Sequence, residues 1–178
     1  TWLTCRAAAQ YWRAQAKANG GTYKGRIINT TSGAGLQGNF GQSNYATAKA
    51  AIASLTLTLA VELASIGVTS NIISPGGLTR ISSTTTAGAM KEPDEFAEGE
   101  WDKYDPSIGA PVVAWLASEE AQLVNGQCLR AVGERLSWLK GWHEAAAITS
   151  GGKHWKAEQL GRMIGMDLFG VQATGLRM

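Results

Sequence analysis

Tyr45 and Lys49 stand four residues apart in the stretch SNYATAKAAIASL, so on a helix they share one face, one turn apart. A tyrosine phenol ordinarily ionises at about pH 10 and is a poor base at neutral pH. A lysine ammonium one turn away favours the phenolate and brings proton transfer within reach. The bare spacing is equally that of an ordinary surface pair, so context has to decide. Ser32 provides some: it ends a strand-like run, GRIINTTS, upstream of Tyr45 across a Gly-rich segment. A serine hydroxyl at such a place holds a carbonyl or alcohol oxygen by hydrogen bonding. Together the three groups suit moving a proton on or off a substrate oxygen while a cofactor moves a hydride.

The elements that must position these groups follow from local pattern. Residues 3–18 are alanine-rich and stop at Gly20-Gly21, which predicts a helix. Residues 26–31 are apolar and β-branched, as in a strand buried in a parallel sheet. Four glycines within 32–42 predict a loop, and Ser43 or Asn44 can cap the next helix. That helix runs to about Ile66, and its near-uniform apolar surface predicts burial on most sides. Gly67 fits a helix end, and VTSNIIS then reads as a strand closed by Pro75-Gly76. A polar loop is expected over 81–105. Asp105 as cap and Pro106 at the first position predict a helix over 105–118, and a strand follows at 127–132. Strand, helix, strand, helix, strand is the order of a parallel α/β sheet. Residues 134–178 read as an appended helical extension. Three strands are few for such a sheet, and Thr1 opens inside a helix-like run without a cap, so a longer protein is expected.

Bulk composition narrows the classes. The 178 residues are 44% hydrophobic and 17% charged, which fits a folded domain and not a disordered chain. A net charge of +2, with no basic run, offers no case for nucleic acid. The longest apolar run, Ala50 to Val61, contains Ser54, Thr56 and Thr58 and is closed by Glu62, so no membrane span is expected. Cys5 and Cys128 lie far apart, as in a reducing compartment. With no signal-like opening segment, a cytoplasmic location is expected. His143 and His154 lack acidic or Cys partners at ligand spacing, so no metal site is expected.

Ser32, GQSNYATAK with Tyr45 and Lys49, and the SPGGLT turn together resemble the C-terminal half of the short-chain dehydrogenases/reductases. The likeness covers residues 1–133. It implies part of a doubly wound parallel-sheet Rossmann-type domain, with 134–178 as an extension. It also implies NAD or NADP as cofactor and a small-molecule alcohol or ketone as substrate. Tyr45 would be the acid/base. Lys49 would make it easier to ionise and bind the nicotinamide ribose, and Ser32 would orient the substrate oxygen. Pro75 and Gly76 would wall the nicotinamide, and Thr79 would contact the carboxamide or phosphates, although it stands one residue closer to Pro75 than is commonest in the family. Arg80 is a lesser candidate for an anionic substrate group. The tail VGERLSWLKGWHE resembles extended members near the dehydrogenase domain of peroxisomal multifunctional enzymes, which points to hydroxyacyl-CoA. In the family, helices matching 3–18 and 43–66 form a dimer interface, so a homodimer or tetramer is expected. No G-x-x-x-G-x-G or N-N-A-G segment occurs in these residues, so the cofactor-binding half is expected to be missing. The alternative is a truncated, non-catalytic fragment or a binding module on the same scaffold.

Overall fold

Apolar, β-branched runs become the inner strands, and the alanine-rich stretches become the helices that cover them. The structure, a computed structural model, describes residues 1–79, 101–157, 160 and 163–168. Helix α1 is Trp2–Ala18, β1 is Arg26–Thr30, α2 is Gly33–Gln37 and α3 is Ser43–Leu63. Strand β2 is Thr69–Pro75, α4 is Ala110–Ala117, β3 is Cys128–Val132 and β4 is Arg135–Leu139. Arg80 and residues 81–100 lie outside the described residues, so the candidate role of Arg80 and most of the expected polar loop are not placed. The chain separates into two compact units, Thr1–Lys140 and Gly141–Met178. In the second, a π-type turn spans Ile164–Leu168.

The sheet order is β1-β2-β3-β4, parallel through β3 and antiparallel at β4. Side chains alternate between its faces. Ile27, Ile72 and Cys128 face α1 and α3, where they join Cys5, Ala53, Leu59 and Leu63 in two apolar clusters. Ile73 points the other way and meets the 3₁₀ turn at Gly109 that leads into α4. Asp105 caps that turn by accepting from the Ser107 N–H at 2.7 Å, as the Asp-Pro signal predicts, and this bond holds its carboxyl below the ordinary range. Burial pushes the Cys128 thiol up, which keeps it protonated and unreactive.

Three elements differ from the sequence pattern. The glycine-rich segment after β1 contains α2, because the Ser32 hydroxyl accepts from Ala34 N–H at 3.2 Å and Leu36 packs into the core. Arg135–Leu139, expected within a helical extension, is a strand beside β3. Val132 pairs with Arg135 across Gly133-Glu134, a two-residue hairpin loop with Gly133 at φ +56°. Helix α3 starts at Ser43 with no side-chain cap, while Asn44 accepts from the Tyr45 N–H at 2.8 Å.

Helix α3 also departs from the expected all-round burial. Only a stripe through Ala53, Thr56, Leu59, Ala60 and Leu63 is buried, and Leu57 and Val61 are exposed. By length and mean hydropathy of 1.5, Ser43–Ile66 is long and apolar enough to cross a membrane, but here its buried stripe packs on the sheet. At its C-terminal end Gly67 adopts φ +79°, a conformation that side-chain-bearing residues rarely reach.

Two asparagines lock β3 beside β2. Asn71, 1% exposed, donates to Val124 O at 2.7 Å and accepts from Gln127 N–H at 3.0 Å. Asn125 accepts from Ser70 N–H at 2.8 Å and donates to Ala60 O at 2.8 Å. Asn71→Ala leaves a half-buried carbonyl and a half-buried N–H without their partner, each worth about 1–2 kcal/mol. The expected loss of unfolding free energy is about 2–4 kcal/mol in a urea titration.

Candidate active site

The site begins where β1 ends. Thr31 N–H donates to Ile73 O at 2.9 Å, which carries the sheet ladder one residue past the strand. Its hydroxyl donates to Lys49 O at 2.7 Å, and Lys49 Nζ donates to Thr30 O at 3.1 Å. The strand end and the helix are therefore tied in both directions. Lys49 Nζ also sits 5.7 Å from the Tyr45 ring centroid. Tyr45 is 44% exposed, so its phenol is open to a ligand.

Ser32 follows this clasp directly and caps α2. Helix α2 lies flat on α3, and a Cβ added at Gly35 would stand 2.6 Å from Lys49 Cβ and 2.7 Å from Ala50 N. Only glycine permits so close a contact. The position of Ser32 is thereby set against Lys49 through two routes, the backbone from Thr30 and the face of α2.

The carboxyl end of β2 supplies the remaining candidates. Pro75 is exposed, although the six strand residues before it are buried. Gly76 N–H donates to Ala131 O at 2.8 Å and the residue lies against the Val132 side chain. Thr79 is exposed. A cleft of about 320 Å³ is lined by Ser32, Gly33, Gln37, Gln42, Pro75 and Arg130, with Ser74 also in its wall. Ser32 and Pro75 thus share one cleft, while Tyr45 and Lys49 pair with each other and are not among its walls. Gly76 and Thr79 are not in its walls either. Sequence reasoning passed over Arg130 and Gln37. The available signal was an arginine inside the otherwise apolar run CLRAV, an uncommon place for a charge.

An exposed phenol and an ammonium one turn away stand near the strand end that also carries the Ser32 hydroxyl. In an open parallel sheet, ligands bind outside such strand ends. Comparisons with known proteins identify the family. The profile of a family described as enoyl-(acyl carrier protein) reductase matches residues 1–133. The chain belongs to the short-chain dehydrogenase/reductase family. It is 39% identical over 159 residues to the hydroxyacyl-CoA dehydrogenase ChsB1 of Mycobacterium tuberculosis, covering 89% of this chain and 49% of that protein. It is 41% identical over 119 residues to the peroxisomal hydratase-dehydrogenase-epimerase of Saccharomyces cerevisiae, covering 66% of this chain and 12% of that protein. The crystal structure of a short chain dehydrogenase from Mycobacterium avium superimposes with a TM-score of 0.76 at 42% identity, covering 95% of this chain and 53% of that one. The chain therefore spans about half the length of ChsB1 and of the M. avium enzyme. The fold is that of the Rossmann-type dehydrogenases.

Gly35→Ala tests the α2–α3 joint. The added methyl meets the Lys49 Cβ and the backbone of α3, neither of which can swing aside. The expected cost is about 1–3 kcal/mol in denaturant unfolding.

Proposed function

We propose that this chain carries the catalytic half of an NAD- or NADP-dependent oxidoreductase acting on a secondary alcohol or ketone in an acyl thioester. The observation that carries the reading is the clasp of Lys49 to the end of β1, which holds Ser32 and the Tyr45–Lys49 pair at one end of the sheet. The substrate class is supported by the names of the relatives, among them the hydroxyacyl-CoA dehydrogenase and an acetoacetyl-CoA reductase of Cupriavidus necator, 36% identical over 115 residues.

In this reading Tyr45 gives its phenolic proton to the substrate oxygen during reduction and takes it back during oxidation. The Lys49 ammonium stands 5.7 Å from the centroid of that ring. Ser32 donates a hydrogen bond to the same substrate oxygen as charge develops on it. The residues present fit a nicotinamide dinucleotide. An ammonium has three donors, and the bond to Thr30 O uses one of them, which leaves two for ribose hydroxyls. Pro75 presents an exposed apolar ring at a strand end, where a flat heteroaromatic ring is walled. When bound, that cofactor supplies or accepts the hydride. Gly76 and Thr79 would extend the same wall.

A second copy of the protein is proposed to cover the outer faces of α1 and α3. These helices expose Trp2, Leu3, Tyr11, Leu57 and Val61, apolar side chains of the kind a partner surface covers.

The test of the catalytic reading is Tyr45→Phe in the full-length protein, with a 3-oxoacyl thioester and NADH or NADPH. Turnover is expected to fall by about 10²–10⁴-fold. Cofactor affinity, read by NAD(P)H fluorescence, is expected to stay within about twofold, because the ring and Lys49 remain. Turnover within about tenfold of the parent would remove Tyr45 from the role of acid/base.

A further inference from the structure

We propose that the cleft beside Ser32 is an oxyanion subsite, in which Arg130 binds a carboxylate or phosphate carried by the substrate. The proposal rests on the reading of Ser32 as the group that holds the reacting oxygen, and it deepens that reading by naming what else the substrate carries.

Register places the charge. Ser74 pairs with Arg130 across β2 and β3, so the two side chains leave the same face of the sheet side by side. That face is the one toward α2 and α3, since Ile72 and Cys128, two residues earlier on each strand, pack there against Leu36 and Ala53. Arg130 Nη1 donates to Gln37 Oε1 at 2.9 Å. A methyl at Gly33 would lie 3.1 Å from the same nitrogen, so the guanidinium runs along the residue next to Ser32. A group bound by Arg130 therefore sits in the cleft whose wall Ser32 also forms.

Charge balance says what that group is. The two ion pairs among the described residues are Arg13–Glu62 and Lys24–Glu119, and neither involves Arg130. Among the described residues the cleft walls contain no carboxylate; they are hydroxyls, amides, glycines, Ala34, Pro75 and this guanidinium. Among the described residues, then, no carboxylate lies beside this guanidinium, which is open to an anionic ligand. The guanidinium is a planar fork of five donors, and the bond to Gln37 uses one. Such a fork matches a carboxylate or phosphate through two parallel bonds. Gln37 holds the fork in place and leaves the rest of it available.

Ser74 adds a second observation in the same wall. It is 1% exposed, and its hydroxyl has no hydrogen-bond partner. Buried hydroxyls are nearly always satisfied, and of the four buried side-chain polar atoms without a partner among the described residues, Ser74 Oγ is the one in the cleft wall. Ser74 lines the cleft, so its hydroxyl is a further donor for an oxyanion bound there. A volume of about 320 Å³ suits the acidic end of a substrate and its neighbouring carbons, not a whole dinucleotide.

The test is calorimetric titration of the full chain with succinate and, separately, with inorganic phosphate at constant ionic strength. Saturable binding of at least one is expected, with the Arg130 side-chain Nε–H resonance shifting in step. Arg130→Gln is expected to weaken it about tenfold or more, and Ser74→Ala about threefold. Arg130→Lys keeps the charge but loses the fork, so an intermediate loss is expected, and this variant serves if Arg130→Gln does not fold. Lys24→Gln, at a surface ion pair, is expected to change nothing. Binding of succinate alone assigns a carboxylate, of phosphate alone a phosphate, and of both an oxyanion in general. No saturation by either at about 50 mM, or undiminished binding in the Arg130 variants, overturns the proposal. Neither cofactor nor turnover enters this readout, so its failure is distinct from a failure of the Tyr45 assignment.

Discussion

A lysine on α3 donates to the last carbonyl of β1, and the next residue of that strand end donates back to the carbonyl of the same lysine. This reciprocal pair of bonds does several things at once. It satisfies Thr30 O where the ladder runs out, and it fixes the rotation of α3 about its own axis. It also holds the Lys49 ammonium near the Tyr45 ring and determines where the chain leaves toward Ser32. Each bond alone is modest in water-exposed terms, about 0.5–1.5 kcal/mol, or more where the donor is charged. Their value is geometric: the helix and the strand end cannot shift relative to each other without breaking both.

The rest of the site is built outward from that joint. Gly35 lets α2 lie on α3 at van der Waals contact, so the serine that caps α2 inherits the same frame. On the other side, Thr31 N–H bonds Ile73 O, which brings the end of β2 alongside. The asparagine locks at Asn71 and Asn125 then hold the turn before β3, and with it the register that pairs Ser74 with Arg130. A chain of backbone-anchored contacts thus runs from the phenol to the guanidinium. The Rossmann-type architecture is what allows it, since every parallel strand delivers its last residues to the same end of the sheet.

Much of this was legible before any coordinates. The strands are β-branched runs of the right length, Gly67 and the Asp105-Pro106 pair marked real boundaries, and the Tyr45–Lys49 spacing survives because helical periodicity is a local property. Helix α2 was not legible, since glycines at 33 and 35 argue against a helix until the cap at Ser32 and the packing of Leu36 are known. Strand β4 was hidden for a different reason: RLSWL is too short to tell a strand from a helical turn, and its pairing partner decides. The outward face of α3 shows the same limit. Composition registers that a helix is apolar but not which side has a neighbour.

The sequence by itself determined the strand–helix alternation, the family, and the residue types that can move a proton, because these depend on periodicity, propensity and spacing within a few residues. Only the tertiary structure decided that Ser32 and Pro75 share a cleft, that Lys49 is spent partly on Thr30, and that Arg130 stands beside Ser74 in the wall of that cleft. Those facts join residues 19 to 56 positions apart. Contacts at that separation are set by sheet register and by how closely two helices approach, and neither quantity is written in any local stretch of the chain.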